Sequence, residues 1–251
     1  MQLDHTAAIV TGGASGLGAA TVQALAEQGA AVYAVDLAAG IGQAPEIKGV
    51  TYVEADVTDP EQVRAAVEQA AGAGPLRTVV NCAGIGPSMR ILGKKGVHDL
   101  ALYAKVVQIN LIGSFNVLAL ASEAIAKTEA DEHGQRGVIV NTASIAAYDG
   151  QIGQAAYSSS KGGIVGLTLP AARDLAQYGI RVCTIAPGIV ETPMLATVSE
   201  EFRASLAAGV PFPQRLARPD EYAQLVLSIV GHDYLNGETI RMDGALRMAP
   251  R

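Results

Sequence analysis

Ala7-Ala8-Ile9-Val10-Thr11-Gly12-Gly13-Ala14-Ser15-Gly16-Leu17-Gly18 passes from a continuous apolar run into a glycine-rich turn. The run Ala7–Thr11 shows no polar alternation, as expected of a strand buried on both faces of a parallel sheet. Beyond the turn, Ala19, Val22, Leu25 and Ala26 recur at helical spacing, and Gly29 closes the pattern. The stretch therefore reads strand, glycine turn, helix. Gly12, Gly16 and Gly18 permit a tight turn, close backbone approach to a bound pyrophosphate and close helix–strand contact, and the helix N-terminus offers free N–H groups. A glycine turn by itself also suits an ordinary strand–helix loop.

The residues that follow weigh against the ordinary loop. Residues 31–35 read as a second strand ending at Asp36, which lies 18 positions beyond Gly18. A dinucleotide fold places a carboxylate for the adenosine ribose at about that interval. Such a carboxylate accepts from ribose hydroxyls and repels a 2′-phosphate, and no arginine follows it, so the cofactor predicted is NAD and not NADP. A third strand at 50–55 runs into Asp56-Val57, placed to cap the adenine. The same stretch also reads as a helix start, with Thr58 or Asp59 before Pro60-Glu61. That helix runs to about 71. A fourth strand at 78–81 delivers Asn81-Cys82-Ala83-Gly84 to the cofactor crevice, where Asn81 can tie strands together and small residues leave room for a ribose.

Residues 85–97 read as irregular, and a helix follows from about His98 to Lys127 with Asn110 in its middle. An asparagine inside an apolar helix is costly unless its amide has partners, so Asn110 marks either a helix irregularity or a polar group serving an active site. A fifth strand at 137–143 delivers Ser144. A helix then carries Tyr157 and Lys161 to about 178, and a sixth strand at 180–186 leads into Pro187-Gly188. From about 188 to 217 prolines recur and strand signals are few; with Thr192, this loop suggests a lid over nicotinamide and substrate. A helix at 220–230 and a short strand near 238–241 complete the alternation. The fold class predicted is α/β: a doubly wound Rossmann fold with a seven-stranded parallel sheet, in one domain spanning 1–251.

Composition agrees and narrows the function classes. Hydrophobic residues are 49% and charged residues 17% of the 251, a globular mixture long enough to bury a substantial core. A net charge of −6 argues against a nucleic-acid partner. Cys82 and Cys183 lie far apart in apolar contexts and read as reduced core thiols, which points to a reducing, cytoplasmic compartment. The first strand begins near residue 7, which leaves no room for a targeting peptide, and no apolar run approaches the ~20 residues of a membrane span. The four histidines are scattered without metal-site spacing, so no metal is expected.

The chemistry is concentrated between Ser144 and Lys161. Tyr157 and Lys161 stand four residues apart, one turn along one helix face. A neighbouring ammonium favours the phenolate, which predicts a tyrosine pKa lowered from ~10. Ser144 supplies a hydroxyl that can hold a substrate oxygen against that tyrosine. The stretch reads as a proton-transfer device.

Taken together, Thr11-Gly-x-x-x-Gly-x-Gly18, Asn81-x-Ala-Gly84, Asn110, Ser144, Tyr157-x-x-x-Lys161 and Pro187-Gly188 resemble the short-chain dehydrogenase/reductases over essentially the whole chain. A narrower set looks like the type II 3-hydroxyacyl-CoA dehydrogenases of that family. It comprises Asn81-Cys-Ala-Gly-Ile, Gly134-Gln-Arg-Gly-Val-Ile, Gly150-Gln-Ile-Gly-Gln-Ala-Ala-Tyr, Val210-Pro-Phe-Pro and Leu235-Asn-Gly-Glu-x-Ile-Arg. Segment 85–97, with Lys94-Lys95, looks like an insertion of that group, and the departures lie mainly in 37–49 and 193–208. The resemblance implies NAD-dependent interconversion of 3-hydroxyacyl-CoA and 3-oxoacyl-CoA, with steroids or other secondary alcohols, or synthetic 3-oxoacyl-thioester reduction, as alternatives. It also implies a homotetramer.

Residue by residue, the resemblance makes Tyr157 the general acid/base and Lys161 the group that lowers its pKa and holds the nicotinamide ribose. Ser144 orients the carbinol oxygen, Asn110 holds a water linking Lys161 to solvent, and Gln151 helps position the substrate. For the NAD site it implies Gly12, Ser15, Gly16, Leu17 and Gly18, then Asp36, Asp56 and Val57. Asn81, Cys82, Ala83 and Gly84 follow, and Pro187, Gly188, Val190 and Thr192 complete it. Arg90, Lys94, Lys95, Arg203 and Arg215 are the cations available to an anionic CoA. A nucleotide-sensing protein without turnover would need the fold but not the Ser144, Tyr157, Lys161 and Asn110 set.

Overall fold

A computed structural model describes residues 1–94, 96–195 and 199–250. Seven parallel strands form its main sheet: β1 (Ala7–Thr11), β2 (Ala31–Asp36), β3 (Val50–Glu54), β4 (Leu76–Asn81), β5 (Gly137–Thr142), β6 (Ile180–Pro187) and β7 (Thr239–Met242). Their spatial order is β3-β2-β1-β4-β5-β6-β7. The order reverses between β1 and β4, so connections leave to opposite faces there and a crevice opens at the strands' carboxyl ends. Thr11, Asp36, Asn81, Thr142 and Pro187 all lie at or next to that edge.

Alternate residues of the strands feed two separate cores. Ile9, Val79, Ile139 and Val182 pack on one face with the apolar stripes of α2 (Pro60–Gly72) and α4 (Ser114–Ala126). Ala8, Val10, Val80, Val140 and Ile185 pack on the other with α1 (Gly16–Glu27) and α7 (Pro219–Gly231). A continuous apolar strand such as β1 is thus explained: both of its faces are covered by helices.

Four readings of the sequence change. The long helix at 98–127 is three pieces: α3 (Leu100–Val107), a π turn (Gln108–Gly113) that contains Asn110, and α4. Its helical run Leu100–Ala126 does meet the length and composition of a membrane span, against the expectation above, and 44% of its most apolar window is buried inside the protein. It is apolar because Val106, Val117, Leu118, Ala121 and Ile125 are core residues. Segment 85–97 contains a short antiparallel pairing of Leu92–Gly93 with Gly96–Val97. The 188–217 stretch is not a structureless loop: it holds a 3₁₀ turn (Pro193–Leu195) and α6 (Glu200–Ala208), and Val190 bridges to Ala217. Besides a single helical turn at Ala38–Ile41, the chain holds α5 (Ala155–Leu175), which carries Tyr157 and Lys161 and passes into a 3₁₀ turn at Ala176–Tyr178.

Candidate active site

The glycine turn is shaped by what a side chain would strike. Gly12 has φ +63°, and a Cβ there would sit 2.9 Å from the Ala83 amide nitrogen. A Cβ on Gly18 would come 2.0 Å from the Gly12 carbonyl oxygen, so α1 packs backbone to backbone on the turn. Ser15 is the exposed N-cap of α1 and makes no side-chain capping bond, which leaves the first-turn N–H groups without a side-chain acceptor. Leu17, half-buried, gives its carbonyl to the Thr21 hydroxyl. The Thr192 methyl stands 3.4 Å from the Cβ position of Gly16, so the strand β6 exit crosses close to the turn.

Asp36 ends β2 and accepts from the Ala14 amide at 3.0 Å and the Leu37 amide at 2.8 Å. These bonds aim the carboxylate back at the glycine turn. Asp56 accepts from the Thr58 amide and hydroxyl, both at 2.8 Å. Asp59, not Thr58, caps α2, accepting from Glu61 and Gln62. Val57 gives its carbonyl to Asn116 Nδ2 and packs against Gly113 of the π turn. Asn81 Nδ2 donates to Asn141 Oδ1 at 2.9 Å and to the Ser114 carbonyl at 3.4 Å, tying β4 to β5 and α4. The Cys82 and Ala83 amides donate to the carbonyl and hydroxyl of Thr11. Cys82 Sγ faces Tyr222 and Thr142 and is only half-buried, unlike Cys183; both thiols are free. At the exit of β6, the Gly188 amide donates to the Met242 carbonyl beyond Pro187, and a Cβ at Gly188 would meet the Asp243 backbone at 2.9 Å.

Ser144, Tyr157, Lys161 and Asn110 converge beside this crevice. Ser144 follows β5 and caps a 3₁₀ turn (Ile145–Ala147), its hydroxyl accepting from the Ala146 amide at 3.1 Å. Lys161 is buried, and its Nζ donates to the Thr142 carbonyl at 2.8 Å and lies 5.8 Å from the Tyr157 ring centre. Asn110 has no exposed surface. Its Nδ2 donates to the Ile85 carbonyl and Ser160 Oγ, and its Oδ1 accepts from the Ile85 amide. The Cβ position of Gly84 is 3.1 Å from Asn110 Oδ1 and 3.6 Å from Lys161 Nζ, so glycine lets both groups crowd the backbone there.

The electrostatics reverse one expectation. Burial pushes the Tyr157 phenol up, opposed by its hydrogen bond with Ser144, so its pKa is raised and not lowered. Burial also lowers Lys161 to about 8. Both charged forms are desolvated in the same place, and that cost outweighs the attraction between them. Burial likewise raises the Cys82 thiol.

Of the residues considered for the substrate, Gln151 Nε2 donates to the Ala249 carbonyl at 2.9 Å. Arg215 is engaged by Glu221 through two bonds of 2.8 and 2.7 Å. Arg203 lies 4.0 Å from Glu200. Lys95 lies outside the described residues. Arg90 makes no ion pair among the described residues, and it borders a cavity of about 440 Å³ with Ile91, Leu92, Gln151 and Ser158. Ser160, Thr142 and Tyr222 were not foreseen from the sequence. They support Asn110, Lys161 and Thr142 from 50, 19 and 80 positions away, a relation no local pattern carries.

The sequence model described as short chain dehydrogenase matches residues 6–202. The chain belongs to the short chain dehydrogenase family. As a short chain dehydrogenase it is an oxidoreductase, and the match takes in the crevice residues from Gly12 to Thr192 together with Asn110, Ser144, Tyr157 and Lys161. It is 50% identical over 255 residues to the 3-hydroxyacyl-CoA dehydrogenase type-2 of Drosophila melanogaster, covering 99% of this chain and 100% of the relative. A protein of the same name from Homo sapiens is 50% identical over 249 residues, covering 97% of this chain and 95% of the relative. The crystal structure of 3-hydroxyacyl-CoA dehydrogenase type-2 from Mycobacterium avium aligns with a TM-score of 0.94 at 44% identity, over 100% of this chain and 99% of that one.

Proposed function

We propose that this short chain dehydrogenase interconverts 3-hydroxyacyl-CoA and 3-oxoacyl-CoA with NAD. The observation that carries the reading is the converged Ser144, Tyr157 and Lys161 set, in a chain half identical along its length to proteins named for that activity. The crevice fits a dinucleotide. Gly12 and Gly18 let the turn pack backbone to backbone against the loop after β4 and the start of α1, the first-turn N–H groups of α1 are left for a pyrophosphate, and the Asp36 carboxylate would meet an adenosine ribose. Bound NAD would supply the acceptor, and NADH the donor, of hydride at the substrate C3.

The side chains handle the oxygen and its proton. Tyr157 takes the proton from the 3-hydroxyl in oxidation and returns it in reduction. With its pKa raised, the phenol is protonated at neutral pH, which favours it as the acid of reduction; oxidation gains as pH rises. Ser144 donates to the oxygen as it becomes a carbonyl. Lys161 fixes the phenol from below and holds the nicotinamide ribose. Asn110, which like Lys161 borders Gly84, would hold a water through which the lysine exchanges protons with solvent.

Acetoacetyl-CoA with NADH tests the reading. Turnover should be readily measured and should be much weaker with NADPH. Tyr157→Phe should lower kcat by about 10²–10⁴-fold while leaving NADH affinity intact. Clean NADH binding without turnover of acetoacetyl-CoA would refute the substrate. We also propose a homotetramer: Ile112, Phe115 and Leu169 are 40–49% exposed on the π turn, α4 and α5, an apolar face for a second copy.

A further inference from the structure

We infer that Arg241, acting with the C-terminal segment Asp243–Pro250, is a positioning residue that holds Ser144 and Tyr157 in register from the far end of the chain. The connector between the two catalytic residues holds a 3₁₀ turn and local bonds such as the Asp149 amide to the Ile145 carbonyl and the Gln151 amide to Gln154 Oε1, but no α-helix or strand. After the 3₁₀ turn, residues 148–154 lie outside helix and strand and include Gly150 and Gly153, the latter at φ +95°. Such a connector does not fix a separation unaided.

Four of its residues are instead held by residues 241–250. Arg241 Nη2 donates to Asp149 Oδ2 at 2.6 Å, and the guanidinium lies 5.2 Å from the Tyr148 ring centre. Gln151 Nε2 donates to the Ala249 carbonyl at 2.9 Å, and the Ile152 amide to the Pro250 carbonyl at 3.0 Å. Arg241 is anchored in turn, its Nε donating to Asp243 Oδ2 at 2.6 Å and its Nη2 to the Leu246 carbonyl at 3.0 Å. Arg241 and Asp149 are only about one-fifth exposed, so the pair is partly shielded from solvent.

The same segment reaches the 188–217 stretch. Leu246 packs with Ile145, the residue after Ser144, and with Val210 and Ile189. The Phe212 amide donates to the Gly244 carbonyl. The 188–217 stretch and the turn carrying Ser144 thus share one anchor in the C-terminal segment. Arg241 acts through Asp149.

The activity part of this proposal rests on the reading given above; the backbone part does not. The test compares Arg241→Met, Arg241→Lys, Asp149→Asn and a chain ending at Met248. Three quantities are read: acetoacetyl-CoA kinetics, NADH affinity and hydrogen exchange of amides 145–152. Arg241→Met should lower kcat on the order of 10–100-fold, the cost of an ångström-scale misplacement, with NADH affinity held within about twofold. Arg241→Lys, which keeps the charge without the fork, should recover part of the loss. Exchange across 145–152 should accelerate in Arg241→Met and in the shortened chain. Unchanged kcat, kcat and NADH affinity falling in parallel, or unaltered exchange would each overturn the proposal. If Arg241→Met does not fold, Asp149→Asn and the shortened chain carry the same decision. A wild-type protein inactive on acetoacetyl-CoA would refute the substrate assignment, and exchange would still decide the positioning role.

Discussion

Lys161 shows how burial sets the chemistry of one side chain. Its fall from the ordinary 10.5 to about 8 means that the folded protein disfavours the ammonium. Between pH 8 and 10.5 the unfolded chain binds more protons at this position than the folded one, so stability rises with pH across that window. Below pH 8 both states are charged and the full cost, on the order of 3 kcal/mol, is present; above 10.5 it is gone. Lys161→Met should therefore be stabilised relative to wild type near neutral pH. The difference should shrink as pH climbs from 8 to 10.5, and denaturant titrations across that range would show it. Parallel stability curves would refute the lysine's buried charge. The raised phenol of Tyr157 has the same origin, which is why reading the pair as mutually stabilising gave the wrong sign.

The π turn between α3 and α4 places a polar group where a regular helix would not. In the turn the Ser114 hydroxyl, not only a backbone amide, serves the Asn110 carbonyl, at 2.8 Å. The side chain of Asn110 is then free to clasp both backbone groups of Ile85. Those groups lie just past Gly84, so the clasp holds the loop after β4 against the lysine. Asn110→Ala would strand the Ile85 amide and carbonyl, while the Ser160 hydroxyl keeps its bond to the Tyr157 carbonyl. The cost should be on the order of 3 kcal/mol, a fall of roughly 5–10 °C in Tm. A melt within about 1 °C of wild type would show that water replaces the amide without loss.

For the molecule as a whole, the exposed apolar residues of the π turn, α4 and α5 predict its assembly. Under the proposed tetramer, Phe115→Arg should reduce the mass measured by light scattering towards smaller species, because a guanidinium would be buried unpaired against the second copy. An unchanged mass would place the interface elsewhere. Most of the fold was legible in one dimension, since continuous apolar runs, helical periodicity and the spacing of glycines are local facts. β1, the glycine turn, Asp36 and the Tyr157–Lys161 pair on α5 were all read that way. What stayed hidden depends on distance through space. The direction of the Tyr157 shift follows from how much water the fold removes, and the Asn110 clasp from a partner 25 positions away. The grip of Arg241 on Asp149 spans 92 positions. Sequence spacing records neither desolvation nor long-range hydrogen bonds; only the packed sheet and its covering segments bring them about.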